Sequence, residues 1–123
     1  MVIDASVLLA VFLKESHGPW GLDRIKQYRD VLRMSTVNLA EVLIVLEIKQ
    51  PEFFEQLKDR ILSSTIRFIP PSVEQARIAA QARHRFPLNL GDCFAYALAK
   101  EEDCPILTTD PDFRKTDVPV VMP

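Results

Sequence analysis

Glycine is scarce in this chain of 123 residues, with three in all, and cysteine and histidine are scarcer, with two of each. Cys93 and Cys104 fit neither a CxxC pattern nor a metal-finger spacing, which excludes a disulfide-stapled scaffold and a thiolate zinc site. They read as reduced, partly buried thiols. His17 and His84 stand far apart and read as surface residues, so no imidazole cluster is available. Gly/Ser linkers, low-complexity tracts and internal repeats are all missing, and a single domain over 1–123 is expected. Long apolar runs are missing too. The stretches 7–13 and 39–48 are too short to span a bilayer, and Glu41 and Glu47 interrupt the second. Met1 runs directly into the strand-like Val2-Ile3 with nothing resembling a secretion signal, so a cytoplasmic protein with no membrane partner is expected. Nor is there an excess of positive charge. Fifteen Lys and Arg face seventeen Asp and Glu, a net charge of −2, which at first sight argues against a nucleic-acid partner.

Hydrophobic patterning fills the chain with alternating elements. Val2-Ile3 reads as a very short strand, followed over 6–14 by a helix apolar almost all round. Pro19 suits the first turn of a second helix, with Trp20, Leu22, Ile25 and Tyr28 at helical spacing. A strand is expected over 31–34, closed by Ser35-Thr36 as caps for an apolar helix that carries Asn38 and Glu41. Pro51 reopens helical phase. A β-branched strand over 65–69 ends at Pro70-Pro71, and Ser72 can cap an alanine-rich helix that Pro87 breaks. One more helix begins near Leu90 with Asp92 in its first turn. A strand over 105–109 then leads into Asp110, and 118–122 makes a last edge strand. Strands separated by helices predict a three-layer α/β/α sandwich around a mainly parallel sheet of four or five strands.

Four carboxylates fall at the joints of this pattern: Asp4, Glu41, Asp92 and Asp110. Each has an ordinary structural role open to it. Asp4 and Asp92 could cap helices or complement their dipoles, Asp110 could form a turn with Pro111 and Asp112, and Glu41 could share a narrow solvent stripe with Asn38. Glu41 fits its alternative least well. It is the one charge between Arg33 and Glu47, on a helix with little polar surface. In a parallel sheet such joints lie on one edge, where ligands bind. Four acids meeting there would repel strongly without cations. Oxygen-only donors favour Mg²⁺ or Mn²⁺ over Zn²⁺, and such ions serve phosphodiester chemistry. Ser6 and Thr109, hydroxyls beside two of the acids, could orient a water or a ligand carboxylate. With the four acids set aside the rest of the chain is net basic, so the overall charge does not exclude nucleic acid.

The segments VIDASVLLAVFLKE, STVNLAEVLIVL and LNLGDCFAYALAKEEDCPILTTDPDF together resemble the PIN-domain ribonucleases, and most closely the VapC-type toxins of toxin–antitoxin pairs. The match covers nearly the whole length, and its last segment is the most specific. The resemblance implies metal-binding acids at Asp4, Glu41, Asp92 and Asp110, with Asp112 as an accessory acid and Ser6 and Thr109 as hydroxyl positions. It implies dependence on Mg²⁺ or Mn²⁺, endonucleolytic cleavage of RNA, a homodimer and an inhibitory VapB-like antitoxin through which the complex binds operator DNA. One departure lies in KESHGP, where the family often has a shorter acidic-proline turn near the rim of its active site.

Other readings fit less well. A receiver-type phosphoacceptor domain should pair acids after the first strand and place a lysine after a late one, and Asp4 has no adjacent acid. A non-catalytic PIN-like binding module would usually have lost one or more of the acids, and a DNA-directed or ribosomal-RNA-processing PIN nuclease is separated from a toxin only by compactness and the lack of added domains. Lys14, Arg83, Arg85, Arg114 and Lys115 are candidates for phosphate contacts, and Trp20, Phe86 and Phe113 for stacking on single-stranded RNA.

Overall fold

The computed structural model describes residues 1–123. Five short strands, β1 (Val2–Ile3), β2 (Arg33–Ser35), β3 (Arg67–Ile69), β4 (Ile106–Leu107) and β5 (Val120–Val121), form one sheet in the order β3-β2-β1-β4-β5. Every neighbouring pair is parallel. Parallel pairing demands long crossovers, and helices supply three of them. These are α1 (Ala5–Phe12) with α2 (Gly18–Gln27), α3 (Thr36–Lys49) with α4 (Phe54–Leu62), and α5 (Val73–Arg85) with α6 (Leu90–Glu102). A 3₁₀ turn, Pro111–Lys115, lies between β4 and β5.

The sheet is buried on both faces because alternate residues of its strands go to opposite sides. Val2 and Ile106 join Ala79, Ala82, Leu98 and Phe113 in the core under α5 and α6. Their neighbours Ile3 and Leu107 join Val7, Leu8, Met34, Val42, Leu46 and Ile61 in the core under α1, α3 and α4. The three-layer α/β/α architecture follows from these two cores, and it is the one expected from the sequence.

Several elements are shorter than their apolar runs. The run 105–109 supplies only two strand residues, since the Thr108 hydroxyl accepts the N–H of Asp110 and turns the chain out of the sheet. The first helix stops short of Lys14, whose φ of 55° lies in the left-handed region that cannot continue a helix. After Pro51 a turn precedes α4, which begins at Phe54. Ser35 and Ser72 cap α3 and α5 as expected, accepting the N–H groups of Val37 and Gln75. Between α1 and α2, a Cβ on Gly18 would lie 2.8 Å from the carbonyl oxygen of Ala10, so glycine is what allows the KESHGP segment to fold so closely onto α1.

Candidate active site

The sheet order runs outward from β1 in one direction through β2 and β3, and in the other through β4 and β5. The carboxyl ends of β1 and β4 therefore flank the topological switch point, the crevice where α/β sheets bind ligands. Register sets what meets there. Val2 pairs with Ile106 and Ile3 with Leu107, so the next residues in line are Asp4 and Thr108.

Asp4 occupies the N-cap position of α1 but its side chain closes no capping bond. Its Oδ2 instead accepts the hydroxyl of Ser6 at 2.7 Å and that of Thr108 at 3.1 Å. Those two hydroxyls in turn accept backbone amides, Ser6 from Thr109 and Thr108 from Asp110. The network ties the end of β1 to the end of β4 and fixes both aspartates. Asp110 caps the 3₁₀ turn, its Oδ1 accepting the N–H of Asp112 at 2.9 Å. Asp92 belongs to a capping box at the start of α6. Asn89 accepts the Asp92 amide, and Asp92 Oδ2 accepts the Asn89 amide. Glu41, on α3, accepts the side-chain amide of Asn38 at 2.7 Å through Oε1. Its carboxylate packs directly on Gly91, where a Cβ would come within 2.2 Å of Oε2.

The capping and turn roles open to Asp92 and Asp110 are thus real, yet they use one oxygen of each carboxylate. Oδ1 of Asp92, Oδ2 of Asp110 and Oε2 of Glu41 accept no hydrogen bond from the chain. The solvent stripe proposed for Glu41 and Asn38 is not what forms. Asn38 is fully buried and also donates to the Gly91 carbonyl at 3.0 Å.

Electrostatics links the four acids. Burial pushes the Asp4 carboxyl above the usual carboxylate range, against the pull of the Ser6 and Thr108 hydroxyls. Burial likewise raises Glu41, and the charge of Asp4 raises it further. Asp92 is pushed up to about 7, first by burial and then by the charges of Asp4, Asp110 and Glu41. None of the four is in a salt bridge; every ion pair of the protein lies elsewhere. Buried carboxylates without cationic partners are costly, and the missing charge is what a divalent cation brings. The donor set, oxygen only, suits Mg²⁺ or Mn²⁺. The acids share one field rather than one closed coordination sphere, since no three of them stand as a ready-made metal cage.

The other expected participants make different contacts. Asp112 turns to Lys115 at 3.5 Å and is not among the charges that raise Asp92. Thr109 contributes its backbone N–H alone, and Thr108, which sequence reasoning passed over, supplies the hydroxyl. Phe113 is fully buried in the core and cannot stack on a base, correcting that expectation. Phe86 is half-buried between the Tyr96 ring, 5.4 Å away, and the guanidinium of Arg85. Trp20 packs half-buried against the α1 side of the core. Lys14, Arg83, Arg85, Arg114 and Lys115 are exposed, and of these Arg83 is close enough to the start of α6 to act on the Cys93 thiol. His17 and His84 are exposed, and both cysteines are free.

Comparison with known proteins places this arrangement. The PIN domain family pattern matches residues 1–119. A ribonuclease VapC from Mycolicibacterium smegmatis is 36% identical, the alignment covering 98% of this chain and 99% of that protein. Among solved structures, the Mycobacterium tuberculosis toxin VapC20, described as cleaving the sarcin-ricin loop, superposes with a TM-score of 0.83 at 15% identity, over 95% of each chain. VapBC2 from Rickettsia felis, crystallised with a DNA fragment from its promoter, gives 0.80 at 15% identity, covering 98% of this chain and 96% of that one.

Proposed function

The chain belongs to the PIN-domain family, within its VapC group, and from that premise we propose that it is a metal-dependent endoribonuclease, the toxin of a toxin–antitoxin pair. The observation that carries the reading is the set Asp4, Glu41, Asp92 and Asp110. These are four carboxylates gathered at the switch point of the sheet, three of them acting by charge on Asp92, and none has a cationic partner.

Asp4, Glu41, Asp92 and Asp110 would hold Mg²⁺ or Mn²⁺ through the oxygens that the fold leaves free. Bound there, the ion would supply an activated water and charge neutralisation at the phosphodiester. The chain's own residues supply the positioning. Ser6 and Thr108 hold Asp4 at one oxygen and fix Asp110 through the backbone, Asn89 orients Asp92, and Gly91 leaves room for the Glu41 carboxylate. Asp112, paired with Lys115 and bonded through its N–H to Asp110, would serve as an accessory acid. Arg83, close to the start of α6, would hold a substrate phosphate.

The partners that go with this reading are an RNA substrate, a VapB-like antitoxin, a second copy of the chain, and operator DNA reached only through the antitoxin. No helix is long and apolar enough to cross a membrane; a cytoplasmic setting is part of the same proposal. Purified protein should cleave structured RNA with Mg²⁺ or Mn²⁺ and stop when EDTA is added. Asp4→Asn should lose that cleavage by two orders of magnitude or more while folding normally, and equal activity in the variant sinks the site assignment.

A further inference from the structure

Asn38 is the one buried side-chain amide at the edge of the acidic site, with no exposed surface. Its two donor hydrogens are both used, on Glu41 Oε1 at 2.7 Å and on the Gly91 carbonyl at 3.0 Å. Both partners are acceptors, so the orientation of the amide is dictated, and a flipped amide would set oxygen against oxygen. The consequence is that Oδ1 is buried with no hydrogen-bond partner. The amide thus commits both donors to the Glu41 carboxylate and the Gly91 carbonyl and leaves its own oxygen buried and unpaired.

What the amide achieves is a connection. Glu41 is on α3, and Gly91 stands next to Asp92 on α6. The clasp binds the Glu41 carboxylate to the helix start that carries another acid of the site, while the missing Cβ of Gly91 makes the space it fills. Without the clasp, two like charges on different helices are free to move apart, and their repulsion drives them to do so. We infer that Asn38 is a positioning residue, whose amide holds Glu41 against the start of α6 and leaves Oε2 without a hydrogen bond from the chain. This rests on the reading of Glu41 as a metal ligand given above. Asn38 touches no reacting atom and acts through Glu41.

Isothermal titration with Mn²⁺ tests it on wild type, Asn38→Leu, Glu41→Gln and the double variant, with metal-free melting curves for each. Asn38→Leu keeps the branched outline of the side chain and removes both donors, and should weaken Mn²⁺ binding by about 10–100-fold, the usual effect of losing a group that orients a ligand. In the Glu41→Gln background the same change should cost nothing further. Should Asn38→Leu fail to fold, Asn38→Ser, which cannot overpack, carries the same expectation. Wild-type affinity in the Asn38 variants, with binding lost in Glu41→Gln, overturns the positioning role and leaves the metal site standing. An equal loss in both backgrounds also overturns it, since a general structural effect would produce that. Unchanged binding in Glu41→Gln overturns the reading of Glu41 itself, and this inference with it.

Discussion

Asp4 shows how a carboxylate can be kept almost wholly buried without a cationic partner. It is 3% exposed, and the two hydroxyls on Oδ2 recover part of the desolvation cost. Thr108→Val keeps the shape and removes one of those bonds. It also strands the Asp110 amide, and should cost about 1–3 kcal/mol in denaturant unfolding together with a clear drop in RNA cleavage. Thr109→Val should change neither much, because that residue contributes only its N–H. The pair illustrates where residue-scale reading of the sequence stops. A hydroxyl next to Asp110 was legible, but choosing between adjacent threonines needs the strand register, which sets Thr108 beside Asp4. Parity was the available signal, since Thr108 lies two residues before Asp110. Asn38 was missed for a different reason. Its polarity on an apolar helix read as exposure, when it marks a buried contact made across 53 residues.

Most elements were legible because local signals agreed with the packing. Ser35 and Ser72 sit at helix starts with free amides to accept, Pro19 lies inside the first turn of α2, and Pro70-Pro71 ends β3. Strand lengths were not, because two residues suffice when both faces of a parallel strand are buried. An apolar run cannot say where hydrogen bonding stops. The start of α6 is the element on which the site leans most. Its capping box fixes Asp92, Gly91 accommodates Glu41, and the Asn38 clasp closes on the same turn. Asn89→Ala should cost about 1 kcal/mol of stability, read as a melting temperature lower by about 4 °C. It should also weaken Mn²⁺ binding, because the amide that orients Asp92 is no longer held in place. An Asn89→Asp variant retains an acceptor for the amide and should recover the stability.

At the scale of the whole molecule the fold gathers four acids spread over more than a hundred residues of chain, and stability should register first their burial and then their repulsion. Asp4, Glu41 and Asp92 all have folded-state values above the carboxylate norm. The folded protein therefore holds protons more tightly than the unfolded chain. The stability this provides is fully present below about pH 4 and is lost as pH rises through the Asp92 value of about 7. Asp117, lowered by the Tyr96 hydroxyl, has the opposite sign, but its effect is confined to pH below the usual carboxylate range. Between pH 5.5 and 8, metal-free protein should melt at lower temperature as pH increases. Millimolar Mg²⁺ should reverse the trend at pH 8 and do little at pH 5.5, where protons already occupy the acids. A melting temperature that rises with pH without metal contradicts this coupling. The most direct measurement of the central claim is anomalous diffraction from crystals soaked in Mn²⁺. The account predicts a peak bounded by the carboxylates of Asp4, Glu41, Asp92 and Asp110. No peak there in crystals with an open site, or one held by Asp112 and surface acids instead, would contradict it.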